Sequence, residues 1–413
     1  MPVGNIAPPE VIHAIDGIEI GITAAGIRYK KRNDLVVFKL RDKAAVACVT
    51  TSNKCCAAPV LLVREHLSQL ATSDNSVRYL LINTGNANAA TGDEGYRRAL
   101  QTCEALASKT EVAINQIMPF STGVIGEVIS SEAIINGLDA CLANLSHDNW
   151  LAAANAIKTT DTIPKVASTQ IEVSNGIRYQ ITGISKGAGM IRPNMATMLG
   201  YVATNAPIAK PLLQQILKEL TNLSFNRITI DGDTSTNDCC VLIATGTDTA
   251  NMIDTEHHPH YQAIYEALKK VFIRLATLIV RDGEGATKFI TVKVSGGKTV
   301  EDCCDVAYAV AHSPLVKTAF FASDPNWGRI VAAVGYSGAK NLDANQVSVT
   351  LDDVAICTRG QLDPNYTEQQ GQEVMSRPEI TINIDLGTGE AKDTVYTCDL
   401  SHDYVSINAD YRS

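Results

Sequence analysis

Lys186 to Gly200 reads Lys-Gly-Ala-Gly-Met-Ile-Arg-Pro-Asn-Met-Ala-Thr-Met-Leu-Gly, a stretch whose residue types could do chemistry on the chain itself. Gly187, Gly189 and the Pro193-Asn194 pair let backbone hold tight or left-handed turns that other residues resist. From Thr197 to Ala203 the pattern turns apolar, as at the start of a buried strand. A hydroxyl held against a strained Ala196-Thr197 peptide on a rigid strand is what an N-to-O acyl shift requires. Hydrolysis of the resulting ester would make Thr197 a new chain start. Its α-amine, with a pKa of about 7.7–8.0 in model compounds, could then act as base for its own hydroxyl. The plainer reading of Thr197 is a β-branched strand former.

Other polar clusters carry similar choices. Ser121-Thr122-Gly123 lies where a strand leaves a sheet, so a hydroxyl and a glycine-freed N–H could together hold an oxyanion; an ordinary turn is the alternative. Thr159-Thr160-Asp161-Thr162 could cap a helix or meet a polar ligand. Glu284, between Gly283 and Gly285, is approachable and would suit an ammonium-bearing substrate, or else it follows a helix stop as a solvated acid. Asp231, Asp233 and Asp238 suggest Ca²⁺, but the terminal Glu of that loop pattern is missing, and a polar network supporting a site fits better. His257, His258 and His260 read as an exposed loop, not a zinc site. Asn83 to Gly92 lacks the spacing of either nucleotide fingerprint and reads as Asx turns that shape a neighbouring site.

The elements that must position these groups read as a layered α/β (α+β) protein with mixed and antiparallel sheets. Short apolar runs at 18–25, 35–40 and 44–49 are strand-like, as are 77–82, 167–174, 178–184, 288–295, 346–350, 353–358, 378–386 and 393–399. Helices are expected over 61–70, 95–109, 131–144, 148–157, 208–222, 299–311, 313–321 and 368–375. The best defined spans 256–281, where Ile264, Leu268, Val271, Phe272, Leu275 and Ile279 recur on one face. Residues 323–329 read as a turn with a buried aromatic and no chemical role. Lys30-Lys31-Arg32 reads as a solvated turn.

With 413 residues, 45% hydrophobic and 19% charged, the chain can bury substantial cores. A net charge of −9 excludes a global attraction to nucleic acid. Apolar runs stay short of the ~18 residues a membrane span needs. The first residues lack the pattern of a secretion signal or a presequence. Eleven cysteines include the adjacent pairs Cys55-Cys56, Cys239-Cys240 and Cys303-Cys304, which on a strand would face opposite ways. They read as buried small hydrophobes in a reducing, cytoplasmic setting, with no metal.

Lys186-Gly187, Gly189-Met190 and Asn194-Met195-Ala196-Thr197-Met198-Leu199 resemble the processing site of the ornithine acetyltransferase (glutamate N-acetyltransferase) family of arginine biosynthesis. The likeness continues through 83–92, 121–123, 224–238 and 323–329. It implies self-cleavage between Ala196 and Thr197, giving chains 1–196 and 197–413 that fold as one unit related to N-terminal-nucleophile architectures. It further implies Thr197 as nucleophile, Thr122 and Gly123 as the oxyanion hole, and substrate contacts from Thr160, Lys186, Thr197, Glu284, Asn408 and the terminal hydroxyl residue. Family members commonly end in Thr, whereas this chain ends in Ser413. The implied reaction moves acetyl from N-acetylornithine to glutamate through an acetyl-Thr intermediate. No cofactor is implied, acetyl-CoA being a conceivable co-substrate, and the implied assembly is a dimer of cleaved pairs. The rival expectation is an N-terminal-nucleophile amidohydrolase or aminopeptidase, with water as acyl acceptor.

Overall fold

The structure, a computed structural model, describes residues 1–4, 6–28, 30–192 and 198–410. The strands up to residue 244 are β1 (Ile18–Thr23), β2 (Leu35–Leu40), β3 (Ala45–Thr50), β4 (Tyr79–Asn86), β5 (Ile117–Val124), β6 (Lys165–Glu172), β7 (Arg178–Lys186), β8 (Leu199–Thr204) and β9 (Cys239–Ala244). They form two sheets, ordered β1-β2-β4-β5 and β3-β9-β8-β7-β6. β4 pairs with β5 in parallel and β8 with β9 in parallel; their other neighbours run antiparallel.

Side-chain alternation stacks these sheets face to face. Leu199, Tyr201 and Ala203 of β8, with Cys239, Val241 and Ile243 of β9, meet Phe38, Leu80, Ile82 and Phe120 of the first sheet in one core. Tyr201 sits 5.5 Å from Phe38 and 5.4 Å from Phe120, ring to ring. The intervening residues Val202, Cys240 and Leu242 point the other way. There they pack on helices α5 (Lys210–Leu223) and α6 (Tyr261–Arg281), which present Leu213, Ile216, Leu268, Phe272 and Leu275. The outer face of the first sheet packs on α2 (Gly92–Thr110) and α3 (Ser131–Ala143) through Cys103, Leu106, Ile134 and Leu138. The result is a helix–sheet–sheet–helix sandwich. Helices α1 (Ala58–Leu70) and α4 (Trp150–Ala156) add Val60, Val63 and Trp150 to the inter-sheet core.

A further lobe carries a third sheet of β10 (Phe289–Gly297), β11 (Ser348–Leu351), β12 (Val354–Thr358), β13 (Gln361–Leu362), β14 (Glu379–Asp385) and β15 (Ala391–Cys398), ordered β13-β12-β11-β14-β10-β15. Helices α7 (Val300–His312), α8 (Pro314–Phe321), α9 (Trp327–Gly335) and α10 (Glu368–Met375) contribute to its separate apolar core. Helix α11 (His402–Ala409) follows β15 and buries no side chain.

Several expectations are corrected. The turn at 323–329 runs into α9, and Trp327 is half-buried where a buried ring was expected. Helix 256–281 starts at Tyr261. His257 is exposed as expected, but His258 is half-buried and His260 is buried, with its ring bonded to Ser174 Oγ and Tyr179 Oη. The Cys239-Cys240 pair lies on β9 and faces opposite cores, whereas Cys55 is exposed. Arg32 is half-buried and donates to Lys158 O, so it is more than a solvated turn residue. No helix among the described residues is long and apolar enough to cross a membrane.

Candidate active site

β4 and β5 end side by side, with Thr84 opposite Thr122 and Gly85 opposite Gly123. Gly123 has φ +132°, and a Cβ there would lie 2.3 Å from Gly85 C and 2.6 Å from Asn86 N. Only glycine permits this strand exit. The asparagine loop behind it is held by its own side chains. Asn86 Oδ1 accepts from Asn88 N at 2.7 Å, and Asn88 Nδ2 donates to Gly95 O at 2.9 Å. Asn237 Nδ2 donates to Ser121 O at 2.9 Å and also to Ala87 O, tying this loop to the aspartate-rich segment.

The end of β7 brings Lys186 to the same place. Its Nζ donates to Thr122 Oγ1 at 3.0 Å. A threonine hydroxyl that accepts from an ammonium keeps its own proton for another acceptor, so Thr122 is a donor aimed by Lys186. Burial pushes the Lys186 pKa down, against the pull of Asp161, Asp238 and Glu284, and the net direction is downward.

Behind the site lies a buried ion cluster. Lys165 Nζ donates to Asp161 Oδ1 and Asp282 Oδ2, each at 2.6 Å, with all three side chains at or near zero exposure. Asp161 also accepts from Gly187 N at 2.7 Å and Thr159 N at 3.0 Å, while Asp282 accepts from Thr162 N at 3.0 Å. Burial alone would raise the Asp161 pKa, but Lys165, Lys186 and the Gly187 N–H hold it well below the usual carboxylate range. The cluster thus fixes three separate pieces: the 159–163 loop with Thr160, the end of β7 with Lys186, and the Asp282-Gly283-Glu284 loop. Asp161 is therefore neither a helix cap nor a free ligand. The sequence reading missed Lys165; its signal is a lysine on a core-facing strand position four residues after an aspartate.

Glu284 is 7% exposed, and its Oε2 accepts from Asn408 Nδ2 at 2.8 Å. A Cβ at Gly189 would stand 2.4 Å from that carboxylate, so glycine there is what lets Glu284 approach the turn. Asp231 holds the same turn: its carboxylate accepts from Met190 N at 2.6 Å, Ile191 N at 2.8 Å and Tyr404 Oη at 3.3 Å. This is the supporting role expected of the aspartate segment, and it also anchors α11.

Thr122, Gly123, Thr160, Lys186, Glu284 and Asn408 all line one cleft of about 260 Å³. Met198 and Leu199 line it too. Thr197, the Ala196-Thr197 bond and Ser413 lie outside the described residues. Segments on both sides of position 197 share one sheet: β8 pairs with β7 before it and β9 after it.

A hydroxyl donor beside a glycine turn, a buried ammonium and a buried carboxylate in a two-sheet sandwich form an α/β site suited to acyl chemistry on small charged substrates. The family is established by sequence. The model of the ArgJ family matches residues 19–413, and this chain belongs to that family. It is 66% identical over the full length of both chains to the arginine biosynthesis bifunctional protein ArgJ of Psychrobacter arcticus, and 52% identical, again over both whole chains, to that of Pseudomonas syringae pv. tomato. A crystal structure of the Bacillus halodurans bifunctional ArgJ aligns with 37% identity and a TM-score of 0.48, over 52% of this chain and 99% of that one.

Proposed function

We propose that this chain is an arginine-biosynthesis acetyltransferase that moves an acetyl group from N-acetylornithine to glutamate through an ester on Thr197. The observation that carries the reading is the convergence of Lys186-supported Thr122, Gly123, Glu284, Asn408 and Met198 on one cleft. Relatives alignable end to end are named for arginine biosynthesis, which supports the pathway.

In this reading Thr197 Oγ first attacks the carbonyl carbon of Ala196. The C–N bond breaks, water hydrolyses the ester, and Ala196 keeps a carboxylate while Thr197 gains an α-amine. The shared sheet supports fragments 1–196 and 197–413 remaining one folded unit. In turnover the amine takes the Oγ proton as Oγ attacks the acetyl carbonyl. Thr122 Oγ1–H and the Gly123 backbone stabilise the oxyanion. The proton passes to the departing ornithine nitrogen, leaving acetyl-Thr197. The α-amine of glutamate then attacks that ester, and N-acetylglutamate leaves. Thr160, Lys186, Asn408 and Ser413 hold the amino acid, and Glu284 faces the ornithine side-chain ammonium.

The word bifunctional in the relatives' names supports a second activity, for which we take acetyl-CoA as the second donor. A cytoplasmic dimer of cleaved pairs completes the reading, and solution mass by light scattering tests that assembly. The decisive experiment mixes protein with ¹³C-acetyl N-acetylornithine, digests it and maps the label. Label on a fragment beginning at Thr197, discharged faster by glutamate than by buffer, is the expected result. Label elsewhere, or discharge by water alone, overturns the reading.

A further inference from the structure

The cleft has a second arm of about 240 Å³, and Gly123, Val124, Thr159 and Thr160 wall both arms. The described residues assigned above to the donor all line the first arm, and the second is room that this assignment leaves over. The charges of the two arms differ. The first presents the carboxylates of Glu284 and Asp238 beside Lys186, which already donates to Thr122. An aliphatic ammonium finds a partner at Glu284, while a side-chain carboxylate would meet repulsion there.

Arg28 and Arg32 line the second arm. Arg32 donates through Nη2 to Lys158 O, which takes one of the five N–H donors of a guanidinium. Arg28 Nη1 donates to Glu127 Oε2 at 2.9 Å, and Glu127 is half exposed, the kind of pair that water and competing anions readily exchange. Thr84 also lines this arm. It is 2% exposed, and its Oγ1 has no hydrogen-bond partner among the described residues. A buried hydroxyl without a partner is uncommon enough to point to a ligand or water that satisfies it. Two acids are present as well. Asp34 is turned to its own loop, accepting from Ala25 N and Ile27 N, each at 2.7 Å, and burial pushes its pKa up. Asp410 is exposed.

We propose that the second arm is the acceptor-specificity subsite, in which Arg32, Arg28 and Thr84 receive the side-chain carboxylate of an acidic amino acid. This rests on the acetyl-transfer reading. It lets one nucleophile serve two amino acids of opposite side-chain charge: the ammonium enters the first arm toward Glu284, and the carboxylate enters the second.

The test compares two reactions of the same cleaved enzyme. Exchange of labelled ornithine into N-acetylornithine uses the first arm alone; net transfer to glutamate uses both. Arg32→Gln should raise the KM for glutamate by about 30- to 100-fold, as expected when a charge-assisted bond is removed from a polar site. Arg32→Lys should recover part of that loss. The Thr84→Val variant keeps the side-chain shape and should raise the same KM about fivefold. Exchange should stay within about threefold of wild type in these variants. An unchanged glutamate KM overturns the proposal, as does a parallel fall of exchange and net transfer in Arg32→Gln and Thr84→Val alike. A rise in the KM for acetyl-CoA with glutamate unaffected overturns it too, and assigns the arm to an anionic thioester. Wild-type enzyme showing neither exchange nor transfer would remove the acetyl-transfer reading itself.

Discussion

The sandwich and the C-terminal lobe solve different problems. Among described residues lining the cleft, none lies between Glu284 and Asn408, so the lobe inserted there contributes its flanks but none of its interior. Its core is apolar, built from residues such as Ile290, Val292, Val349, Ile382 and Val395. The sandwich instead buries Asp161, Lys165 and Asp282 directly behind the cleft. Buried ions are a poor source of stability. Their value here is positional, because one cluster holds three site-bearing segments in mutual register.

The comparison makes graded predictions. The largest concerns Thr197, which directly precedes the cleft-lining Met198 in sequence: Thr197→Ala should abolish both cutting and turnover, and Thr197→Ser should retain some of each. A denaturing gel and an acetyl-transfer assay check this, and activity from an uncut Thr197→Ala chain would remove the nucleophile. Next, Lys165→Met leaves two carboxylates buried without their cation and should cost about 3–5 kcal/mol of stability, with turnover falling as well. In the lobe, Ile382→Ala should cost a similar amount, about 2–5 kcal/mol, through an internal cavity. Urea unfolding measures both, and kcat separates them. If Lys165→Met kept full kcat while Ile382→Ala lost it, the contrast between the two regions would be reversed. Thr122→Ala should then slow cutting and turnover by about 10²–10³-fold with little change in unfolding midpoint; normal turnover would refute the oxyanion assignment.

What the sequence made legible follows the same division. Helix α6 and the paired strands were readable because a repeating apolar face has a period. Thr122, Gly123, Thr160, Lys186, Glu284 and Asn408 stand in short motifs that carry the family resemblance, and the fold gathers all six. Helix α11 was not readable because it buries nothing: Tyr404 to Asp231 and Asn408 to Glu284 tie it down, across 173 and 124 residues of chain. The Lys165–Asp282 contact spans 117 residues and has no periodic trace. α9 was hidden because Pro325-Asn326 gives a turn signal immediately before its first residue. Arg32 looked solvated because its charged neighbours dominate the local pattern, and only the tertiary fold brings Lys158 to it.

The seam between the two regions offers a smaller, pH-dependent test. His312 closes α7, and its Nε2 lies 3.0 Å from Thr229 Oγ1, which itself donates to Ile191 O at 3.0 Å. Thr229 must therefore accept, and His312 carries its proton on Nε2. Burial, aided by Arg192 and Lys317, lowers the His312 pKa from 6.5 to about 4. Because the folded pKa is the lower one, the unfolded chain binds the proton first as pH falls. Stability should be fully present above about pH 6.5 and decline toward pH 4, by roughly 3 kcal/mol in all. Asp161 has the opposite origin but the same direction, and its loss begins only below the unfolded aspartate value of about 3.9. Urea unfolding between pH 7 and 4.5 therefore stays clear of Asp161; burial also lowers the His258 pKa, so the His312 share is the part of the slope that His312→Gln removes. An unchanged slope would mean that another group controls the seam.

The smallest expected effect lies inside the lobe. Thr367 caps α10: its Oγ1 accepts from Gln370 N at 3.4 Å, and Gln370 Oε1 accepts from Thr367 N at 2.9 Å. Removing the hydroxyl frees one helix-end N–H to an exposed surface, so Thr367→Ala should cost about 1 kcal/mol. The same kind of contact in the sandwich, Asp231 with Met190 N and Ile191 N, orients the turn that abuts Glu284. If the lobe is only a scaffold, Thr367→Ala shifts the unfolding midpoint and leaves kcat and KM at wild-type values. A fall in kcat from this distant cap would show that α10 motion reaches the cleft through β10 or α11, and the two regions would have to be treated as one mechanical unit.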